Sequence, residues 1–160
     1  MNPRPNQILV EGSAKVRLRL WLRLLKLTRG VERTLRENFR TEFDSTLPRF
    51  DVMAALYRHP KGMKMSELSG ELKVSNGNVT GIVDRLVKDG TIIRSPVLDD
   101  RRALLVRLTR RGEEEFFAQA TRHEIWIDEL LGGFSTADVE EMMKVVEQAT
   151  PVATEEDSKA

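Results

Sequence analysis

The stretch Ser75-Asn76-Gly77-Asn78-Val79-Thr80-Gly81-Ile82-Val83-Asp84-Arg85-Leu86-Val87-Lys88-Asp89-Gly90 decides how the rest of the chain is read. Val79, Ile82, Val83, Leu86 and Val87 recur at helical spacing and form one apolar stripe. Ser75 is a good N-cap and Gly90 a good stop, so the stretch carries both of its own boundaries. Opposite the stripe lie Gly77, Gly81, Asp84 and Lys88, flanked by Asn76 and Thr80 on one side and by Asn78 and Arg85 on the other. Two poor helix formers one turn apart are unusual on a solvated face. Bare glycines let a surface approach the backbone, asparagine can read base edges, and a helix N-terminus attracts phosphate. These features fit a DNA recognition helix. An ordinary amphipathic helix with a polar outside fits them as well, and the flanking sequence has to decide.

Downstream the period changes to two. Thr91 to Ser95 and Ala103 to Leu108 read as paired strands, with Leu104, Val106 and Leu108 on one side. Their connection, Pro96 to Arg102, is too polar at its tip to be buried. Upstream, Met65 to Leu72 reads as a short helix presenting Leu68 and Leu72. Before it, Pro48 at a first helical position opens a helix carrying Phe50, Met53, Ala54 and Tyr57 inward. Two short helices joined by a tight turn and followed by a hairpin are a winged helix-turn-helix.

The outer segments are helical. Thr109 caps a fifth helix that Gly132-Gly133 stops, and the box Ser135-Thr136-Ala137-Asp138 opens a sixth that Pro151 ends. From Ala14 to about Phe43, Val16, Leu18, Leu20, Leu22 and Leu24 first alternate with Arg17, Arg19, Trp21 and Arg23 as in a strand. The absence of a turn signal and the helical spacing of Leu24, Val31, Leu35, Phe39 and Phe43 favour a helix. Such a helix is roughly 45 Å long, more than a small domain covers, so part of its leucine surface is expected on another subunit. The expected fold is mainly α with a small β-hairpin wing. A winged helix-turn-helix spans 47–109, an all-helical dimerisation region is built from both termini (14–46 and 110–150), and 1–13 and 151–160 are flexible ends.

Charge narrows the function. The 160 residues hold 26 Lys and Arg against 25 Asp and Glu, and no cysteine. Disulfides, thiolate metal sites and thiol redox sensing are thereby excluded. No apolar run approaches the roughly 20 residues that span a bilayer, and no secretory signal opens the chain, so a cytoplasmic location without a membrane partner is expected. Residues 58–111 carry twelve Lys and Arg against six acids, whereas 112–160 carry three against thirteen. A basic centre with an acidic flank points to a local anion-binding surface, with double-stranded DNA as the expected partner.

The run Leu68 to Gly112, LSGELKVSNGNVTGIVDRLVKDGTIIRSPVLDDRRALLVRLTRRG, resembles the winged helix-turn-helix of the multiple-antibiotic-resistance-regulator (MarR) family of bacterial transcription factors. The most specific parts are Val74-Ser75, Val79-Thr80, Val83-Asp84-Arg85-Leu86, Gly90, Arg94, the wing Asp100-Arg101-Arg102, and Leu108-Thr109. The resemblance covers roughly 48–116, and the outer helices match in pattern alone. It implies an obligate homodimer made by the first, fifth and sixth helices, recognition helices in adjacent major grooves, wings reaching the minor groove, and release of DNA by a small ligand.

On that reading the candidate DNA contacts are Ser66, Ser75, Asn76, Asn78, Thr80, Arg85, Lys88, Asp100, Arg101 and Arg102. Asn78 and Thr80 flank the glycines in the half of the helix that reaches base edges, while Arg85 and Lys88 suit phosphate. Asp100 to Arg102 alone could be a solvated turn. At the tip of a hairpin beside a recognition helix, Arg102 is expected in the minor groove, Arg101 on phosphate, and Asp100 orienting the wing. Asp84 reads as a salt-bridge partner.

The family's usual pocket, where helices one, two and five meet the winged part, would draw on Arg17, Trp21, Phe50, Met53, Tyr57 and Trp126 for an aromatic acid or its coenzyme A thioester. The same aromatics read equally well as core. No cofactor or metal is implied: His123-Glu124 begins HExxH, but Ile127 stands where the second histidine belongs. An enzyme is not expected. A regulator, acting as a repressor, is the leading reading, and a protein-interaction module on a winged-helix scaffold stays open beside it.

Overall fold

The computed structural model describes residues 5–97 and 100–149, with side chains placed at 12–75, 77–96 and 104–149. Helix α1 (Pro5–Phe43) leads into α2 (Leu47–Arg58), a short strand β1 (Met63–Lys64), α3 (Met65–Leu72) and α4 (Asn76–Lys88). The hairpin β2 (Ile92–Val97) and β3 (Asp100–Leu108) follows, then α5 (Arg110–Leu131) and α6 (Thr136–Ala149). The fold is mainly helical with a small antiparallel sheet of order β1-β3-β2. The chain divides into two compact units, Met1–Ile125 and Trp126–Ala160. Compactness therefore groups α1 with the winged part and leaves only the end of α5 with α6, a different division from 14–46 plus 110–150 against 47–109.

The decisive stretch folds as its spacing requires. Val79, Val83 and Leu86 are fully buried, and Ile82 and Val87 half-buried, where α4 packs on α2 and α3. Val52, Met53, Leu56 and Leu68 complete this core. Each such side chain contributes roughly 1.5–3 kcal/mol by leaving water. Gly90 ends α4 at φ 76°, a left-handed conformation, and lets its N–H donate to Val87 O at 3.0 Å while Thr91 N–H donates to Leu86 O at 3.0 Å. At the other end Ser75 contributes its carbonyl, which accepts from the N–H of Asn78 and Val79 at 3.1 and 3.2 Å, and its hydroxyl makes no capping bond.

Several expectations shift. Helix α1 starts at Pro5 rather than Ala14, because proline fits the first turn, where no N–H partner exists. Thr46 caps α2, placing Pro48 second rather than first. Tyr57 is half-exposed rather than inward, its ring 4.7 Å from Phe116. Leu104 is 43% exposed while Val106 and Leu108 are buried, since the hairpin projects beyond the core there. The strands also run further than their alternation suggested, so Asp100 pairs with Val97 across a bulge. Sequence patterning gave no sign of β1, where Met63 pairs with Val106 and Lys64 with Leu105. Ahead of it Gly62 turns at φ 93° with its Cα against the Val106 carbonyl, room only glycine has.

Ion pairs pin the helices of the first unit. Arg49 pairs with Asp89, joining the start of α2 to the end of α4, and Arg122 bonds Glu42 at 3.2 Å, joining α5 to α1. Glu71 of α3 accepts from Arg58 at 2.5 Å and lies 3.0 Å from His59 Nε2. In the second unit the Ser135 box forms, with Asp138 N–H donating to Ser135 Oγ at 3.2 Å and Ser135 N–H to Asp138 Oδ2 at 3.1 Å. Among its described residues, α6 buries none, and Met142, Met143, Val145 and Val146 are exposed.

The tightest approach is at Gly112, where a Cβ would collide with the Thr91 carbonyl oxygen and stand 2.9 Å from its carbon. Gly112→Ala should therefore cost about 3 kcal/mol or more in urea unfolding, because backbone rather than a side-chain tip blocks it. A loss under about 1 kcal/mol would show that α5 can lift from Thr91 freely. Glu71 gives a pH test. Arg58, then His59, hold its carboxyl below the ordinary glutamate value. Its contribution is thus full above that value and lost as pH falls through the lowered one. Glu71→Gln should lower the urea midpoint at neutral pH, and the gap from wild type should close in acid.

Candidate nucleic-acid interface

The outward face of α4 is built around glycines that the fold itself does not need. A Cβ at Gly77 or Gly81 would meet no atom within 4 Å, and neither residue has positive φ. Packing and backbone conformation thus leave both free to be alanine, the better helix former by roughly 1 kcal/mol each. Asp84, on one rim of this floor, pairs with Arg94 of β2 and ties the helix to the hairpin, the salt-bridge role expected for it. Thr80 lies on that rim and is exposed. The opposite rim carries Asn78 and Arg85, both exposed. Asn78 also lines a cavity of about 330 Å³ with Pro48, Asp51, Leu72, Val74 and Ile82.

The remaining candidates extend this surface. Ser66 at the start of α3 and Ser75 before α4 are exposed. Lys88 sits at the far end of α4, lining a polar cleft of about 520 Å³ with Arg49, Asp89, Arg111 and Glu115 among its walls. Among the described residues, neither Arg85 nor Lys88 is in an ion pair. The side chains of Asn76, Asp100, Arg101 and Arg102 lie outside the described residues. The backbone of the last three starts β3 instead of forming the connection.

Comparison with known proteins fits this geometry. Residues 45–104, from the cap of α2 into β3, match the MarR family. The transcriptional activatory protein BadR of Rhodopseudomonas palustris is 33% identical over 134 residues, covering 80% of this chain and 75% of its own length. The chain belongs to the MarR family. A MarR family transcriptional regulator from Silicibacter pomeroyi is 34% identical, with a TM-score of 0.72 over 86% of this chain and 94% of that one. A mutant MarR from E. coli, solved with operator DNA, shares the fold at 22% identity and a TM-score of 0.71, covering 94% of this chain and 100% of that one. The protein is accordingly a DNA-binding transcriptional regulator of the MarR family.

No described cavity is lined by all six residues expected to form an effector pocket. Phe50 and Met53 are core, because rings fill the junction of α1, α2 and α5: Phe50 lies 4.9 Å from Phe39, 5.5 Å from Phe116 and 4.8 Å from His123 between centroids. Burial there disfavours the charged form of His123 and lowers its pKa. Arg17 and Trp21 are exposed on α1, Arg17 bonding Ser13 at 3.3 Å. Trp126 is buried and belongs to the second unit. Of the six, Tyr57 alone lines a described cavity, about 380 Å³, with Leu56, Pro60, Leu108 and Glu113.

Sequence reading passed over Asp51 and gave Arg94 no role of its own. Burial pushes the Asp51 carboxyl up, Arg36 opposes this and Glu32 adds to it. In the sequence it looks like an ordinary carboxylate on an exposed helix position. Arg94 appeared only as part of the resemblance. A charged residue near the start of a strand, beside a helix bearing an exposed Asp, was the signal available.

The glycine floor yields a paired test. Gly81→Ala should raise stability by roughly 0.5–1 kcal/mol in urea unfolding, by helix propensity alone. The same variant should bind DNA more weakly than wild type. Unchanged DNA binding would leave the glycines without a reason on this face.

Proposed function

We propose that this regulator binds an inverted-repeat operator as a homodimer in the cytoplasm, and leaves it when a small aromatic acid or its coenzyme A thioester binds. The observation that carries the DNA part is the bare, unpacked floor of Gly77 and Gly81 between the Asn78 and Thr80 rims, braced to the hairpin by Asp84 and Arg94. Asn78 and Thr80 read base edges, Ser66, Ser75, Arg85 and Lys88 meet phosphate, and Arg102 enters the minor groove beside Asp100 and Arg101. Half-sites then lie about 10 bp apart. The E. coli neighbour solved with operator DNA supports this use of the fold.

The exposed leucines of α1 and the exposed methionines and valines of α6 support the dimer. For the ligand, support comes from the half-exposed Tyr57 ring and its cavity, within the size range of small-molecule sites. Glu113 on one wall turns the acid group of such a ligand away from that wall. Repression is the simplest output of a protein that leaves DNA with its ligand. BadR is named an activatory protein, and in vitro transcription on the protein's own promoter decides the sign.

Asn78→Ala should cost about 1–3 kcal/mol on a duplex selected by the wild type and little on random duplex. Arg102→Ala should instead weaken both and reduce the log-log salt slope by about 0.9. Equal losses by both variants on all sequences would refute this division of labour. Tryptophan fluorescence titrated with benzoates, hydroxycinnamates and their thioesters tests the ligand. Binders should lower DNA affinity by the same factor by which DNA lowers theirs. If none binds, or binders leave DNA affinity unchanged, the ligand assignment fails and the DNA assignment stands.

A further inference from the structure

The recognition helix, the base of the hairpin and the first turn of α5 are joined by one hydrogen-bonded knot. Leu86 O, in the last turn of α4, accepts from both the N–H and the hydroxyl of Thr91, each at 3.0 Å, and Thr91 is fully buried. Thr91 O accepts from Thr109 N–H at 3.0 Å. The Thr109 hydroxyl donates to Gly90 O at 2.7 Å and accepts from Gly112 N–H at 3.0 Å. Gly112 brings the α5 backbone onto the Thr91 carbonyl. Thr109 is the single residue between β3 and α5. No slack exists there to absorb a rotation of α5, so the stop of α4 has to follow it.

We propose that Thr109 is the positioning residue that fixes the recognition helix and the wing relative to α5, and so sets DNA specificity without touching DNA. The proposal rests on the DNA-binding reading above. Both functions of the hydroxyl are used, one as donor to the α4 stop and one as acceptor from the first turn of α5. A methyl in its place leaves two backbone groups, Gly90 O and Gly112 N–H, without that partner. Loosening this corner lets the two reading elements adopt relative angles that fit random DNA as well as they fit the operator. Phosphate contacts, being less directional, survive such angles better than base contacts do.

The test uses the full-length protein and a duplex enriched by the wild type from a random pool. The readout is the ratio of affinity for that duplex to affinity for random duplex. Thr109→Val should lower the ratio about tenfold, the size expected for one lost polar contact of this kind. Thr109→Ser, which keeps the hydroxyl, should restore it. Leu35→Val, a core change on α1 away from the knot, should lower stability with no change in the ratio. A wild-type ratio in Thr109→Val, failure of Thr109→Ser to restore it, or an equal drop in Leu35→Val would each overturn the proposal. If the wild type enriches no duplex, the DNA-binding reading itself has failed. Hydrogen exchange then judges the knot independently: Thr91 and Gly112 amides should exchange faster in Thr109→Val than in Thr109→Ser, and equal rates would overturn it.

Discussion

The constraint on which the winged part depends is the backbone contact between Gly112 and the Thr91 carbonyl. Hydrophobic burial of Val79, Val83 and Leu86 holds α4 against α2 and α3, but burial is non-directional and leaves rotation and tilt open. Direction comes from the corner where α4 stops, β2 starts, β3 ends and α5 begins. There Thr91 has its N–H and hydroxyl satisfied by Leu86 and its carbonyl satisfied by Thr109. Asp84 with Arg94, and Arg49 with Asp89, then fix α4 from two further sides. These pairs are partly exposed and individually worth little, so they refine an orientation that the backbone corner has already imposed.

What was legible in the sequence was what local spacing specifies. The α4 stripe, the Gly90 stop, the Thr109 cap and the Ser135 box depend on residues within about one turn of each other, and each formed. What was not legible depends on partners distant in the chain. β1 is strand because Met63 meets Val106, and two residues cannot display a period. Tyr57 fits the inward spacing of α2, yet it sits at the helix end, where Phe116 covers only one face of the ring. The glycine of Thr109-Arg110-Arg111-Gly112 looks like a weak helix former, and only the approach of Thr91 makes it obligatory.

The candidate site divides along the same line. The outward set on α4 could be read from the sequence because a helix places its faces by angle alone, and Gly77, Asn78, Thr80, Gly81 and Arg85 are exposed as that angle demands. A pocket is different, being space left between elements, and its volume follows from how rings pack rather than from which rings are present. Phe39, Phe50, Phe116 and His123 pack together at the junction of α1, α2 and α5, the reading as core that the sequence left open beside a pocket. The described cavities lie instead beside Tyr57, beneath Asn78 and behind Lys88. Two of the three thus adjoin the residues assigned to DNA.

Helix α1 carries the argument for a partner furthest. Between Gly12 and Thr34 no residue is buried, and Val16, Leu18, Leu20, Trp21, Leu22, Leu24 and Leu27 are 41–62% exposed. Its later arginines are paired, Arg36 with Glu32 and Arg40 with Glu37, whereas among the described residues Lys15, Arg19, Arg23, Lys26, Arg29 and Arg33 have no ion pair. Helical stability in proteins comes mostly from packing an amphipathic face, and isolated helices are marginal in water even when propensity is high. Among the described residues, the first half of α1 has neither burial nor ion pairs of its own to hold it, and like-charged neighbours four residues apart, Lys15 and Arg19, oppose it. The proposed second copy answers both needs, since it can cover the leucines and bring acids from the C-terminal third, where thirteen acids face three bases. On this view dimerisation is a condition for α1 to be a helix over its whole length.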